Sequence, residues 1–153
     1  MKDQRVAAAW VSVASNSLLV VLKFIAGILV GSVSIISEAI HSANDLLASF
    51  IALFAVKTSS KPPDKEHPFG HGKVENVSGT IEALLIFVAA FLIIKEAVER
   101  LFHGVEMQTL GWGLAVMGFS AILNLGVSEY LMYVAKKTNS IALEADAMHL
   151  RTD

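Results

Sequence analysis

Four long apolar segments constrain this chain more than any other feature of its sequence. They lie at about residues 6–30, 34–56, 77–94 and 110–134. A bilayer core about 30 Å thick is crossed by about 20 mostly apolar helical residues. Because backbone polar groups in lipid must be satisfied within the segment, the pattern predicts an all-α membrane helix bundle. The content of 54% hydrophobic residues agrees with this prediction.

A fifth, shorter helix is expected near the end of the sequence. Thr138-Asn139-Ser140 is a cluster that favours helix starts, and the predicted helix occupies about residues 140–153. This stretch is roughly half as long as a bilayer span requires. We therefore expect the chain, residues 1–153, to be an incomplete transmembrane domain of a longer transporter-like protein, with its fifth span truncated.

The distribution of basic residues predicts the orientation of the bundle. The turn Gly31-Ser32-Val33 carries no charge, whereas the connection at residues 57–73 holds four lysines. By the positive-inside rule, this connection and the N-terminus are expected in the cytoplasm. Basic residues on that side would be Lys2, Arg5, Lys57, Lys61, Lys65, Lys73, Lys136 and Lys137, against Lys95 and Arg100 on the other side.

Composition excludes several kinds of chemistry. The chain has no cysteine, so disulfides and thiolate metal sites are excluded, and any metal must be bound by imidazole and oxygen. A formal net charge of -2 gives no basic surface for nucleic acid, which we exclude as a partner. Nothing pairs a nucleophile with a base, so an enzyme is not expected.

Two histidine–aspartate pairs are the main candidate for a functional site. His41 and Asp45 are four residues apart in the second span, and His149 and Asp153 repeat this spacing in the fifth. Residues four apart share one face of a helix. Two imidazole nitrogens and two carboxylate oxygens suit tetrahedral Zn²⁺, which would offset their charge in the membrane. A single pair of this kind is more often only hydrogen-bonded, but its recurrence favours metal binding.

The connection after the second span holds another possible metal site. Asp64, His67 and His71 offer oxygen and imidazole donors in a glycine-containing loop. On spacing alone, three surface ligands without a buried shell favour a solvated loop over a metal site. Other ionisable residues in or near the spans are interpreted as structural. They are Lys23, Glu38, Glu82, Glu129, Glu144 and Asp146. Lys23, Glu82 and Glu129 could pair with each other or reach toward water, whereas Glu38 could line an entrance.

Three stretches in order resemble the cation diffusion facilitator family of divalent metal transporters, the cation efflux type of zinc transporter. After Gly31-Ser32, they are SEAIHSAND at 37–45, HPFGHGKVE at 67–75 and ALEADAMHLRTD at 142–153. The resemblance implies a six-helix transmembrane domain, so that the sixth helix and a cytoplasmic C-terminal domain are expected to be absent from this sequence. Glu38 stands where many members have Asp.

The resemblance also implies a site and an activity. The transport ligands would be His41, Asp45, His149 and Asp153, and histidine at the first position is typical of zinc-preferring members. The loop site would use Asp64 and His71 with His67 close by. The protein would be a homodimer that exchanges Zn²⁺ for protons, usually exporting metal from the cytoplasm, and we expect it in the cell (inner) membrane.

Two other functions stay open on the sequence alone. A membrane metal-binding or sensing protein would hold the ion without moving it, and a purely structural scaffold would leave the paired ligands without a purpose. Imidazole and carboxylate ligands also accept Cd²⁺, Co²⁺, Fe²⁺ and Mn²⁺ to different degrees, so the ligand set does not fix the metal.

Overall fold

The computed structural model describes residues 2–103 and 110–152, and these two ranges contain helices and no strand. This confirms the predicted all-α fold class. The helices are α1 Lys2–Val30, α2 Val33–Ser59, α3 Lys73–His103, α4 Leu110–Thr138 and α5 Ile141–Thr152.

Four of these helices are long and apolar enough to cross a membrane. The candidate spans are Gln4–Val30, Val33–Ser59, Lys73–Glu99 and Gly113–Thr138. The third helix extends beyond the apolar segment 77–94 at both ends, because helical hydrogen bonding continues through polar residues such as Lys95 and Glu99. Their side chains form an exposed pair, with 3.6 Å between Lys95 Nζ and Glu99 Oε1.

A tight turn joins α1 to α2 and holds the two helices close together. Gly31 has a φ of 67°, a left-handed conformation that glycine adopts without steric cost. Ser32 caps α2 by accepting a hydrogen bond from the Ile35 backbone N–H. A Cβ atom on Gly27 would lie 2.7 Å from Ile36 Cγ1, so a larger residue there would push the helices apart.

The α4–α5 connection is equally short and directs α5 back into the bundle. Asn139 has a φ of 50°, and the Ser140 N–H donates to the Ala135 carbonyl oxygen at 3.1 Å. A left-handed residue with this backbone bond ends a helix by satisfying its last carbonyl groups. The following helix begins at Ile141, directly after the predicted cluster Thr138-Asn139-Ser140.

The bundle is apolar outside and partly polar inside. Exposed large side chains such as Phe87, Phe91 and Ile122 cover its outer surface, as expected where helices face lipid. α5 contacts each of the other four helices and lies against α2, α3 and α4. A cluster of small and aliphatic residues from α1, α2, α4 and α5 fills one end of the interior.

Glu75, at the start of α3, connects three helices and the α4–α5 connection at that same end. Its Oε1 atom lies 2.7 Å from Arg5 Nη1 of α1 and accepts a hydrogen bond from Ser59 of α2. Its Oε2 atom accepts a hydrogen bond from Ser140, which directly precedes α5. Arg5 also donates to Ser60 at 3.1 Å. Because one buried carboxylate satisfies groups from several segments, we expect this network to fix the entry of α5 into the bundle.

Candidate metal site

The central feature of the interior is a contact between α2 and α5. Asp45 Oδ1 lies 3.3 Å from His149 Nε2, although the two residues are 104 positions apart in the sequence. Each residue is only 4% exposed. The structure thus brings together one member of each predicted histidine–aspartate pair.

This separation fits a shared metal ion. Zn²⁺ binds imidazole nitrogen and carboxylate oxygen at about 2.0–2.2 Å, so two ligand atoms on a tetrahedron are roughly 3.3 Å apart. The distance between Asp45 Oδ1 and His149 Nε2 has this value. It is longer than most charge-assisted hydrogen bonds. The two side chains can therefore accept an ion between them with little rearrangement.

His41 extends the site along α2. It lies one turn before Asp45, and both residues line a cavity of about 310 Å³. Asp153, the fourth predicted ligand, lies outside the described residues. The cavity walls come from α1, α2 and α4: Lys23, Glu38, His41, Asp45, Met117, Gly118, Ser120, Ala121 and Asn124.

An ion pair lies in the wall of this cavity. Lys23 Nζ of α1 lies 3.5 Å from Glu38 Oε2 of α2, and the same ammonium group donates to Ser42 Oγ at 2.8 Å. Lys23 is 7% exposed, and its charge is therefore balanced within the bundle. The expectation that Glu38 could line an entrance agrees with its place in the cavity wall.

Asn124 lines the cavity of the candidate site, and the sequence interpretation missed it. It is 8% exposed in the cavity wall, and its Oδ1 atom has no hydrogen-bond partner among the described residues. A single asparagine within an apolar span was a signal that could have identified it, because a polar group is costly in hydrocarbon without a partner or a role.

Glu129 and Glu82 have separate partners in the described part of the chain. Glu129 Oε1 of α4 lies 3.4 Å from Arg151 Nη2 of α5, and both side chains are more than half exposed. Glu82 Oε1 of α3 accepts a hydrogen bond from Ser78 at 2.8 Å. Lys23, Glu82 and Glu129 thus pair with other residues rather than with each other within the described ranges.

The loop between α2 and α3 also gathers its three predicted ligands. Asp64, His67 and His71 offer ligand atoms that all lie within 4.8 Å of one another. Asp64 Oδ1 lies 3.1 Å from His67 Nδ1, and Asp64 Oδ2 lies 3.4 Å from His71 Nε2. The His67 backbone N–H donates to Asp64 and lowers the pKa of this carboxyl group, which favours the ionised form that binds metal.

The donor set of this loop fits a small divalent cation. Both carboxylate–imidazole distances are close to the roughly 3.3 Å edge of a zinc tetrahedron. The His71 side chain is 11% exposed, and its Nδ1 atom is buried without a hydrogen-bond partner among the described residues. The partly buried His71 gives the loop more shielding from water than its sequence suggests.

These features define an integral membrane protein with buried imidazole and carboxylate groups suited to a divalent cation. A comparison with known families gives the same result, since the model of the cation efflux transmembrane domain matches residues 9–153. The chain belongs to this family, which confirms the resemblance to the cation diffusion facilitators. It is a family of transporters and not of enzymes.

Individual relatives agree with this assignment. The chain is 39% identical to an uncharacterized transporter of Methanocaldococcus jannaschii over 144 residues, which cover 93% of this chain and 50% of the relative. It is 40% identical to an uncharacterized transporter of Synechocystis over 132 residues, 86% of this chain and 43% of the relative. It is 32% identical to the cation-efflux pump FieF of Klebsiella pneumoniae over 146 residues, 95% of this chain and 49% of that protein. The chain thus spans about half the length of the curated relatives it matches.

Proposed function

We propose that this chain forms the ion-binding membrane part of a divalent cation efflux transporter that exchanges Zn²⁺ for protons. Its transport ligands are His41, Asp45, His149 and Asp153. The observation that carries the proposal is the distance of 3.3 Å between Asp45 Oδ1 and His149 Nε2. Two helices that each contribute a ligand can change their relative position, and such a change would alter the affinity for the ion.

The cavity beside this contact supports a route for the ion. Its lining residues lie in the last third of α1 and in the first halves of α2 and α4, and α1 and α2 meet on this side at the Gly31 turn. The charge pattern predicts that this turn faces away from the cytoplasm. We infer that the cavity is the release side of the transporter, with Asp45 at its inner end.

Proton exchange follows from the chemistry of the ligands. Metal binding requires neutral imidazole and ionised carboxylate, so an arriving dication displaces protons from His41 and His149. Protonation from the other side then weakens the site and helps to release the ion. Metal and protons therefore compete for one set of atoms, which is the basis of an exchange.

The remaining parts of the proposal are supported by the family resemblance and by the ligand geometry of the loop between α2 and α3. Zn²⁺ is the preferred substrate because histidine stands at position 41, with Cd²⁺, Co²⁺, Fe²⁺ and Mn²⁺ as alternatives. Asp64, His67 and His71 bind a second ion at the cytoplasmic surface. The protein works as a homodimer in the cell (inner) membrane with its N-terminus in the cytoplasm.

Transport into liposomes tests the function. The protein produced from its complete gene is reconstituted, and Zn²⁺ uptake is followed together with internal pH. We expect uptake coupled to proton movement in the opposite direction. Saturable Zn²⁺ binding without any flux would support a sensing protein instead, and the absence of both binding and flux would refute the proposal.

A further inference from the structure

Two acidic residues that the transport site does not use are fully buried next to it. Glu82 of α3 and Asp146 of α5 are each 0% exposed. Glu82 Oε2 and Asp146 Oδ2 are both buried without a hydrogen-bond partner among the described residues. Neither carboxyl group has a salt bridge to a Lys or Arg side chain within the described residues.

Such a pair cannot hold two negative charges at low cost. An ionised carboxylate in an apolar interior costs several kcal/mol when no cation or full set of hydrogen bonds compensates it. α3 and α5 pack against each other, and negative charges on Glu82 and Asp146 would repel across this contact. When two carboxyl groups repel each other in this way, one of them retains its proton.

The hydrogen bonds around Ser49 indicate where a proton is held. Ser49 Oγ lies 3.2 Å from the Asp45 carbonyl oxygen and 3.2 Å from Asp146 Oδ1. It also accepts a bond from Asn16 Nδ2 at 2.6 Å and lies 2.9 Å from Ser12 Oγ. A hydroxyl group has one hydrogen to donate, so it cannot serve both the carbonyl oxygen and an ionised Asp146. A protonated Asp146 could donate to Ser49 Oγ, which leaves the Ser49 hydrogen for the Asp45 carbonyl oxygen and a second lone pair for Asn16.

The same hydroxyl group connects Asp146 to the metal site. Ser49 lies one turn after Asp45 on α2, and Asp146 lies three residues before His149 on α5. The titratable side chains that interact electrostatically with Asp146 are His149, Asp45 and Glu82. A dication between Asp45 and His149 would add two positive charges within a short distance of Asp146, which would favour loss of its proton.

We propose that Glu82 and Asp146 form a proton-binding site, separate from the metal ligands, that releases a proton when a divalent cation occupies the Asp45–His149 site. The O–H bond of a carboxylic acid breaks, the proton passes to water, and the carboxylate that remains offsets part of the charge of the metal. The release step rests on the proposed transport function. The retained proton does not depend on that function, because it follows from the burial of Glu82 and Asp146.

Infrared spectroscopy tests the retained proton without any metal. The protein from its complete gene is compared in H₂O and D₂O at neutral pH, where the carbonyl band of a protonated carboxylic acid shifts on deuteration. We expect Glu82→Gln or Asp146→Asn to reduce this band. Glu144→Gln is the matched control, since Glu144 is an exposed carboxylate on α5. A band that neither test variant reduces would overturn the proton site, and either variant alone suffices if the other does not fold.

Calorimetry tests the coupling to metal. Zn²⁺ binding is measured in buffers with different ionisation enthalpies, which gives the number of protons released per ion. We expect Glu82→Gln or Asp146→Asn to lower this number by about one, while Glu144→Gln leaves it unchanged. Unchanged proton release in both test variants would overturn the coupling. A wild-type protein that binds no Zn²⁺ would instead refute the transport function, and the infrared result would still decide the proton site.

Discussion

Replacing Asp45 with asparagine is the most direct test of the transport site. Asparagine has nearly the same size and keeps an oxygen atom near His149 Nε2, which lies 3.3 Å from Asp45 Oδ1. The change therefore removes one negative charge with little loss of packing. We expect the Asp45→Asn protein to insert and fold normally but to bind Zn²⁺ far more weakly.

The magnitude follows from the burial of Asp45. Asp45 is 4% exposed, so little water surrounds its carboxylate. The attraction between this carboxylate and the dication is therefore screened mainly by the protein. Two unit charges 4 Å apart interact by about 4 kcal/mol at an effective dielectric constant of about 20, and the lower desolvation cost of asparagine offsets part of this loss. Substitution of residues that hydrogen-bond to metal ligands already lowers metal affinity by about 10 to 100-fold. Loss of a ligand charge should therefore cost about 100-fold or more, equivalent to about 2.8 kcal/mol.

Glu38→Gln is the comparison that separates this ligand effect from a general loss of charge. It removes a carboxylate from the same cavity, but the Glu38 side chain is 41% exposed and paired with Lys23. Water reaches this carboxylate and screens its charge, so we expect a change in Zn²⁺ affinity within about fivefold. An equal loss of affinity in both variants would mean that overall cavity charge, and not ligation by Asp45, controls binding.

The assay uses the protein from its complete gene. Zn²⁺ affinity is measured by calorimetry after gel filtration has shown equal folding of the variants, and uptake into vesicles is measured in parallel. An Asp45→Asn protein that binds and transports Zn²⁺ like the wild type would refute the proposed four-ligand site. The histidine–aspartate spacing would then have only a structural role.

Three further expectations concern the loop, the proton gradient and the α5 entry. His71→Ala should lower the Zn²⁺ stoichiometry by one ion per chain in equilibrium dialysis, and unchanged stoichiometry would exclude the loop site. Zn²⁺ flux in liposomes should rise when the receiving side is made acidic, because protonated imidazole cannot bind the ion, and flux independent of the gradient would exclude proton exchange. Glu75→Gln should lower the melting temperature by leaving the partly buried Arg5 without its counter-charge, a cost of up to about 3 kcal/mol. Glu99→Gln, in an exposed pair with Lys95, should change stability by less than about 1 kcal/mol, and equal effects of the two changes would contradict the assigned role of Glu75.

The fold class could be predicted from the sequence because lipid imposes a simple rule. A segment of about 20 apolar residues must satisfy its backbone internally, so it becomes a helix regardless of its neighbours. The ends of these helices were less predictable. Hydropathy marks the part of a helix in lipid, whereas hydrogen bonding continues into polar residues, as α3 does through Glu99.

The sequence by itself also determined which residues can bind metal and which of them share a helix face. His41 and Asp45 are one turn apart on any α-helix, and the chemistry of imidazole and carboxylate does not depend on the fold. The loop ligands Asp64, His67 and His71 are predicted from their donor atoms together with the family resemblance.

Only the tertiary structure decided which side chains meet. Helices in a membrane are apolar on the lipid side and largely apolar on the inner side, so hydrophobic periodicity does not indicate which face is buried. The packing of α5 against α2 and α3 placed His149 beside Asp45 and enclosed Asp146 and Glu82 in the interior. Sequence interpretation had treated those two acids as structural, because their burial and their unpartnered oxygen atoms depend on contacts between helices that are distant in the chain.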